Sequence, residues 1–297
     1  MLVIAFGLVG AFVYGSADFL GGLASKRLSP FAVTGIAAFS GLAVLLAVYP
    51  LVGGAWSAEA ALWGSISGVS GAIGISLLYA CLAIGPMSIL SPLTAVVSAV
   101  VPLAVGLARG DGLQPVGYVA LALALVAVVL VGFIPEKGAV RPSLRGVLMA
   151  VGSGATIGVF LIAIDIAPAD SGLVPLVFNR AVNGVIMVTI VLMAVAIARR
   201  RSDAAARPPA ASDGPARAGL RTALLLALAC GVADAAANGL ILTGLRLGEL
   251  SVMSVLVALY PAGTIVLAAI VLKERIALVQ VVGLVLAVAA AGMLSLA

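Results

Sequence analysis

The chain has 297 residues, of which 64% are hydrophobic and only 9% charged, with a mean hydropathy of +1.31. Soluble domains run near 25% charged, so a soluble enzyme or binding domain is excluded and a polytopic all-α membrane protein is indicated. The pI of 9.6 would suit nucleic acid, but so few charges in so apolar a chain make the arginines topology determinants at a membrane face, and no nucleic-acid partner is expected.

A helix needs about 20 apolar residues to cross a bilayer, and ten stretches meet that length. The first, 2–24, follows no basic segment and reads as a spanning helix rather than a cleaved signal peptide. It carries Asp18, on a helical stripe with Gly7, Ala11, Gly15 and Gly22. Small residues let another helix approach, so Asp18 is expected to face protein. Either it is a buried acid bonded to a neighbouring helix, or it is a carboxylate that loads and releases a proton, as an antiporter needs. Tyr14, one turn earlier, is with Tyr79 and Tyr260 either a cavity residue or an anchor at the membrane interface. Lys26 and Arg27 close the span. Spans at 31–53 and 61–83 follow, the latter with Tyr79 and Cys81; Cys81 and Cys230 read as small packing residues. The connection at 84–86 is expected to be the tightest.

The fourth span, 86–108, carries Ser88, Ser91, Ser98 and Pro102. Serines at this spacing often bond back to their own helix, and Pro102 favours a kink or a gate hinge. The fifth covers 115–135. The sixth, 146–166, ends near Asp165, and the seventh, 173–198, holds Asn179, Arg180 and Asn183. Asp165 and Arg180 lie in the same half of the membrane and are expected to pair across the 167–172 turn. The alternative is that Arg180 binds an anionic group of a substrate, for which its planar fork is suited. Segment 199–219, rich in Ala, Pro, Arg and Asp, reads as a flexible basic loop. The eighth span, 220–245, has Asp234 and Asn238 at i and i+4, the deepest polar pair in the chain. The ninth, 250–271, repeats the pattern of the fourth with Ser251, Ser254, Tyr260 and Pro261, and ends at Lys273, Glu274 and Arg275; the tenth covers 276–296.

Residues 68–97 align without gaps on 231–260, with ten of 30 positions identical, among them Gly68/Gly231, Gly85/Gly248, Ser88/Ser251 and Ser91/Ser254. The offset, 231 − 68 = 163 residues, covers five spans. Five is odd, so the copies run through the membrane in opposite senses, a recurring arrangement in secondary transporters. The chain divides accordingly into a first five-helix repeat at 1–140 and a second at 141–297. In this alignment Asp234 and Asn238 fall on Gly71 and Ile75, which predicts an asymmetric site. Of the 16 Lys and Arg residues, thirteen sit on the side of the first loop; the opposite side has only Arg109 and Arg246, and Arg180 lies within a span. That bias puts the rich side in the cytoplasm and both termini outside.

Residues 248–294 resemble the C-terminal half-repeat of EamA-type transporters in the drug/metabolite transporter superfamily. The resemblance rests on Gly248, Ser251, Ser254, Pro261, the Lys-Glu-Arg at 273–275, Gln280, Gly283 and Gly292. The first half is a looser copy, with Asp111 where the family usually has glutamate, and residues 14–22 resemble the family's first helix. The resemblance implies ten helices in two inverted halves, a central cavity and export of small metabolites or drugs across the cell (inner) membrane. Members commonly have both termini in the cytoplasm; the charges here indicate the reverse. No histidine and no Walker A loop are present, which argues against a His relay, a His-rich metal site and an ATPase; no enzymatic activity, cofactor or metal is expected. The function expected is a secondary active carrier, coupled to protons, whose alternating access exposes Asp18, Asp234, Asn238, Arg180, Asp165, Asn183 and Tyr14 to a small-molecule substrate, with Pro102 and Pro261 as hinges. The alternative is an uncoupled facilitator or channel, whose flux would ignore a pH gradient. The oligomeric state is not legible.

Overall fold

The structure is a computed structural model and describes residues 1–82, 84, 87–132, 142–204, 215–273 and 275–294. Lys137, Arg141, Arg207, Glu274 and most of the 84–86 turn lie outside these, as do the side chains of Tyr79, Ser88, Ser91, Arg201 and Arg217. Eleven α-helices follow in order: α1 (Leu2–Ala24), α2 (Pro30–Val52), α3 (Ala58–Leu82), α4 (Met87–Arg109), α5 (Pro115–Gly132), α6 (Leu144–Ile166), α7 (Val174–Ala204), α8 (Pro215–Leu247), α9 (Leu250–Val257), α10 (Tyr260–Val271) and α11 (Leu278–Leu294). The pieces α9 and α10 make one span. With it, nine described spans are long and apolar enough to cross a membrane, and α11 is a shorter apolar helix.

Two boundaries differ from expectation. Both α7 and α8 extend into the 199–219 segment, to Ala204 and from Pro215, and only 205–214 lies outside the description. Hydropathy marks where the bilayer ends, whereas Ala and Arg favour continued helix beyond it. The tightest described connection is Gly248–Glu249, between α8 and α9. A Cβ at 248 would lie 2.6 Å from Val3 Cγ1, so glycine permits this turn to press on the start of α1.

Local chemistry sets several helix ends. Ser29 accepts from Ala32 N at 3.2 Å and precedes Pro30, and Ser143 accepts from Gly146 N at 3.1 Å, each a hydroxyl cap at a helix N-terminus. Gln280 accepts from Ala277 N at 3.0 Å, closing the first turn of α11, while its amide donates to Val131 O at the end of α5. Gly283 lets the same two helices touch, since a Cβ there would lie 2.7 Å from Val131 N.

The packing repeats. Helix α1 lies along α8, as α6 lies along α3; α2 packs on α8, as α7 packs on α3; α4 packs on α6, as α9 and α10 pack on α1. Exchanging the first five spans for the second five maps these contacts onto one another, and leaves the α2–α7 and α5–α11 pairs unchanged. This is the architecture of two inverted five-helix copies.

Candidate functional site

The symmetric halves meet around a cavity of about 130 Å³, lined by residues of α1, α3, α6, α7 and α10. That is room for several water molecules. The small-residue stripe of α1 explains how the wall is built. Gly7 and Gly15 press on the ninth span: Gly7 meets the Leu256 side chain, and a Cβ on Gly15 would lie 2.7 Å from Thr264 N and 2.9 Å from Gly263 Cα. The Thr264 hydroxyl donates to Gly15 O at 3.0 Å across this contact. One turn on, the helices part and Asp18 presents accessible surface to the cavity. By Gly22 the stripe has left the contact, since a Cβ added there would meet nothing within 4 Å. Asp18 therefore faces the bundle interior, as its stripe predicted.

On the opposite wall stand Asn179, Arg180 and Asn183 of α7. The expected Asp165–Arg180 pair is not formed. Arg180 Nη2 lies 2.6 Å from Asp234 Oδ2 of α8, with both side chains largely buried. Asp165 Oδ2 instead lies 3.0 Å from Arg109 Nη1 at the end of α4. The short turn sets the depth of the two residues but not the azimuth of either helix. Arg180 reaches across past Gly41 of α2, whose missing side chain lets α2 approach Gly231 O of α8, 2.9 Å from where a Cβ would lie. Asn238 donates to both Asp234 O, at 2.8 Å, and Asp234 Oδ1, at 3.2 Å. Asp234 and Asn238 thus stand behind Arg180, and hold it, while Asp18 and Arg180 are the charged residues on the cavity wall. The inverted counterparts of Asp234 and Asn238, Gly71 and Ile75, line the cavity itself.

Arg180 Nε and Asn183 Oδ1 are buried without a hydrogen-bond partner. Such groups cost about 1–3 kcal/mol each when left unpaired. Asn179, by contrast, donates to Ser67 Oγ at 2.8 Å and ties α7 to α3. The wall thus presents a carboxylate, a guanidinium held by its own acid, and an unpaired amide oxygen, flanked by aromatic and aliphatic surface.

A second, smaller cavity of about 50 Å³ lies beyond, lined by Ser98, Leu161, Ile241, Ser254, Val257 and Ala258. Tyr14, Ile157, Phe160 and Tyr260 border both spaces. Tyr14 and Tyr260 meet edge to face with centroids 5.6 Å apart, a favourable aromatic geometry. They form a partition between the two. Here the ninth span breaks: α9 ends at Val257, α10 begins at Tyr260, and Pro261 opens the new helix. Proline lacks the N–H that a continuous helix would need. Pro102 does not interrupt α4, and packs against Gly158 of α6 instead. Two of the ladder serines bond within their helices, Ser98 to Ala95 O and Ser254 to Ser251 O.

Two polar clusters at the end of the bundle bearing the termini were not anticipated. Arg246 donates to the carbonyls of Asp165 and Pro168, next to the Arg109–Asp165 pair. Asp111 accepts from Ser251 N at 3.0 Å and from the Ser251 hydroxyl at 2.6 Å, capping α9 from the other half of the chain. The only forewarning was that Ser251 belongs to the family's recurring pattern and that Asp111 stands where the family usually has glutamate. Their task is to hold the turn that starts the broken span.

The fold has relatives. A crystal structure of another protein matches with a TM-score of 0.72 over 99% of this chain and 98% of the other, at 16% sequence identity; at that identity the likeness is one of fold. No curated protein matches the sequence. The profile of the EamA-like transporter family, a division of the drug/metabolite transporter superfamily, matches residues 144–296. With ten helices in inverted halves around a central cavity, the chain belongs to the EamA-like transporter family.

Proposed function

We propose that this membrane transporter is a proton-coupled secondary carrier that exports a small polar or amphipathic metabolite by alternating access. The observation that carries the reading is Asp18, a carboxylate on the cavity wall that is not the partner of the arginine opposite. Arg180 is neutralised by Asp234, which leaves Asp18 as the wall's exchangeable site, where a proton and a cationic group of the substrate would compete. A solute with an ammonium for Asp18 and an acceptor for the Arg180 guanidinium fits this wall, as an amino-acid-like molecule does. The cavity is smaller than the several hundred Å³ of drug-sized sites, which favours a small cargo or a closed state. The Tyr14–Tyr260 partition is the barrier that a translocation step would open, with the break at 258–259 as its hinge. We further assign 1–140 and 141–297 as the two moving repeats, in the cell (inner) membrane with the basic loops cytoplasmic and the termini outside.

The test is flux of a candidate amino-acid-like solute in proteoliposomes under an imposed pH gradient. The wild type is expected to accelerate with the gradient, and Asp18→Asn to lose that response while melting at the wild-type temperature. Flux that ignores the gradient in the wild type identifies an uncoupled facilitator. An unchanged gradient response in Asp18→Asn removes Asp18 as the proton site.

A further inference from the structure

A more spacious recess than the central cavity lies elsewhere in the protein. It is an open groove of about 580 Å³ on the outer surface, walled by α2, α7 and α8. Its lining is apolar and includes Ala32, Ile36 and Phe39 of α2, Val188 and Leu192 of α7, and Leu228 of α8. Phe39, Val188, Leu192 and Leu228 are exposed. The single hydroxyl in the wall, that of Ser40, is already donated to Leu228 O at 3.0 Å, so the groove offers a ligand no polar partner along its length. From Phe31 to Ser40 the α2 wall rises nine residues, about 14 Å. That is close to half of a hydrocarbon core about 30 Å thick, or one leaflet.

The mouth of the groove is charged. On α7, Arg199 follows Leu192 by seven residues, and on α8, Arg221 precedes Leu228 by seven. Seven residues are two helical turns, about 10 Å, so each arginine stands on the stripe that lines the groove, at its basic-loop end. Both are exposed. Near the same end, the Arg27 guanidinium lies against Gly219. One apolar slot the depth of a leaflet, opening under two arginines, has the shape and charge of one lipid. We propose that the α2–α7–α8 groove is a binding site for an anionic phospholipid, with an acyl chain in the slot and the phosphate between Arg199 and Arg221. A second copy of this chain is a poorer occupant. A parallel two-fold dimer across this face would bring each copy's arginines together at the same membrane surface, and like charges would oppose it.

The experiment uses full-length protein in nanodiscs of equimolar phosphatidylglycerol and phosphatidylcholine, with retained lipid counted by native mass spectrometry. The wild type is expected to retain phosphatidylglycerol in preference. Arg199→Gln with Arg221→Gln should lower that preference roughly 30-fold, from about 1 kcal/mol per surface arginine, and Ala32→Phe, which fills the slot and leaves the arginines, should lower retention of the bound lipid. Equal retention of the two lipids by the wild type overturns the proposal, as does a preference that survives the arginine substitutions. A dimer that Ala32→Phe dissociates would assign the groove to a second copy and overturn it as well.

Discussion

Replacing Asp234 by leucine should destabilise the protein more than replacing Arg180 by methionine, and the double replacement should recover most of the loss. The pair is 2.6 Å apart with side chains 11% and 14% exposed, so solvent screens it little. Removing one member of such a pair costs about 3–5 kcal/mol, whereas replacing both by apolar residues of similar size is often neutral. The two single losses differ because a stranded carboxylate can take up a proton and become neutral, while arginine cannot give one up. In Asp234→Leu the guanidinium loses its one acid, with Nε already unpaired. In Arg180→Met the carboxylate keeps the Asn238 amide. Partners found in the unfolded, membrane-bound chain reduce such effects, so the lower end, about 3 kcal/mol, is expected for Asp234→Leu. At roughly 2 °C per kcal/mol for a long chain, its melting temperature in detergent should fall by about 6 °C. The assay is thermal unfolding of the four purified proteins. A double variant less stable than Asp234→Leu, or an Asp234→Leu protein that melts with the wild type, would refute the reasoning.

Other contacts yield their own measurements. Gly15→Leu should leave little folded protein on size exclusion, because the added Cβ meets backbone of α10 on every side, whereas Gly22→Ala, in open space, should behave as wild type. Asp111→Ala removes a carboxylate cap of α9 and should cost about 1–2 kcal/mol, with Ser251→Ala adding little on top, since the two act as one unit; additive losses in melting temperature would show that they do not. Arg109→Gln should scarcely move the melting temperature, because a pair with one side chain 42% exposed contributes well under 1 kcal/mol. Arg246→Gln, which frees the carbonyls of Asp165 at the end of α6 and of Pro168 in the turn that follows, should lower it more than Arg109→Gln does.

Hydropathy located the spans within a few residues because the bilayer enforces a minimum apolar length whatever the packing. The azimuth of α1 was legible too: Gly7, Ala11 and Gly15 admit a helix on one side only, and Asp18 follows them round. Nothing comparable marks α7 or α8. Arg180 and Asp234 are 54 residues apart in sequence, and which acid the arginine finds depends on how α7 rotates between α2, α3 and α8. Local spacing suggested Asp165 because it is the nearest acid across a short turn, and nearness along the chain is not nearness around a helix. The break at 258–259 was visible only as Pro261. The same residue type at Pro102 leaves α4 unbroken, packed on Gly158, so proline states where a helix can yield and tertiary contact decides whether it does.

Pro102 and Pro261 leave the two halves unlike in helix continuity. Extending the 163-residue alignment by one position, Pro261 falls on Ser98, in the unbroken α4. A machine of two interchangeable copies has two resting shapes related by a two-fold rotation, equal in energy until the membrane or a gradient tells them apart. Here the discontinuity is written into one copy only, together with the acid that tethers Arg180. Under the alternating access proposed above, the two resting shapes are unequal before any gradient acts, and one side of the cycle is preferred.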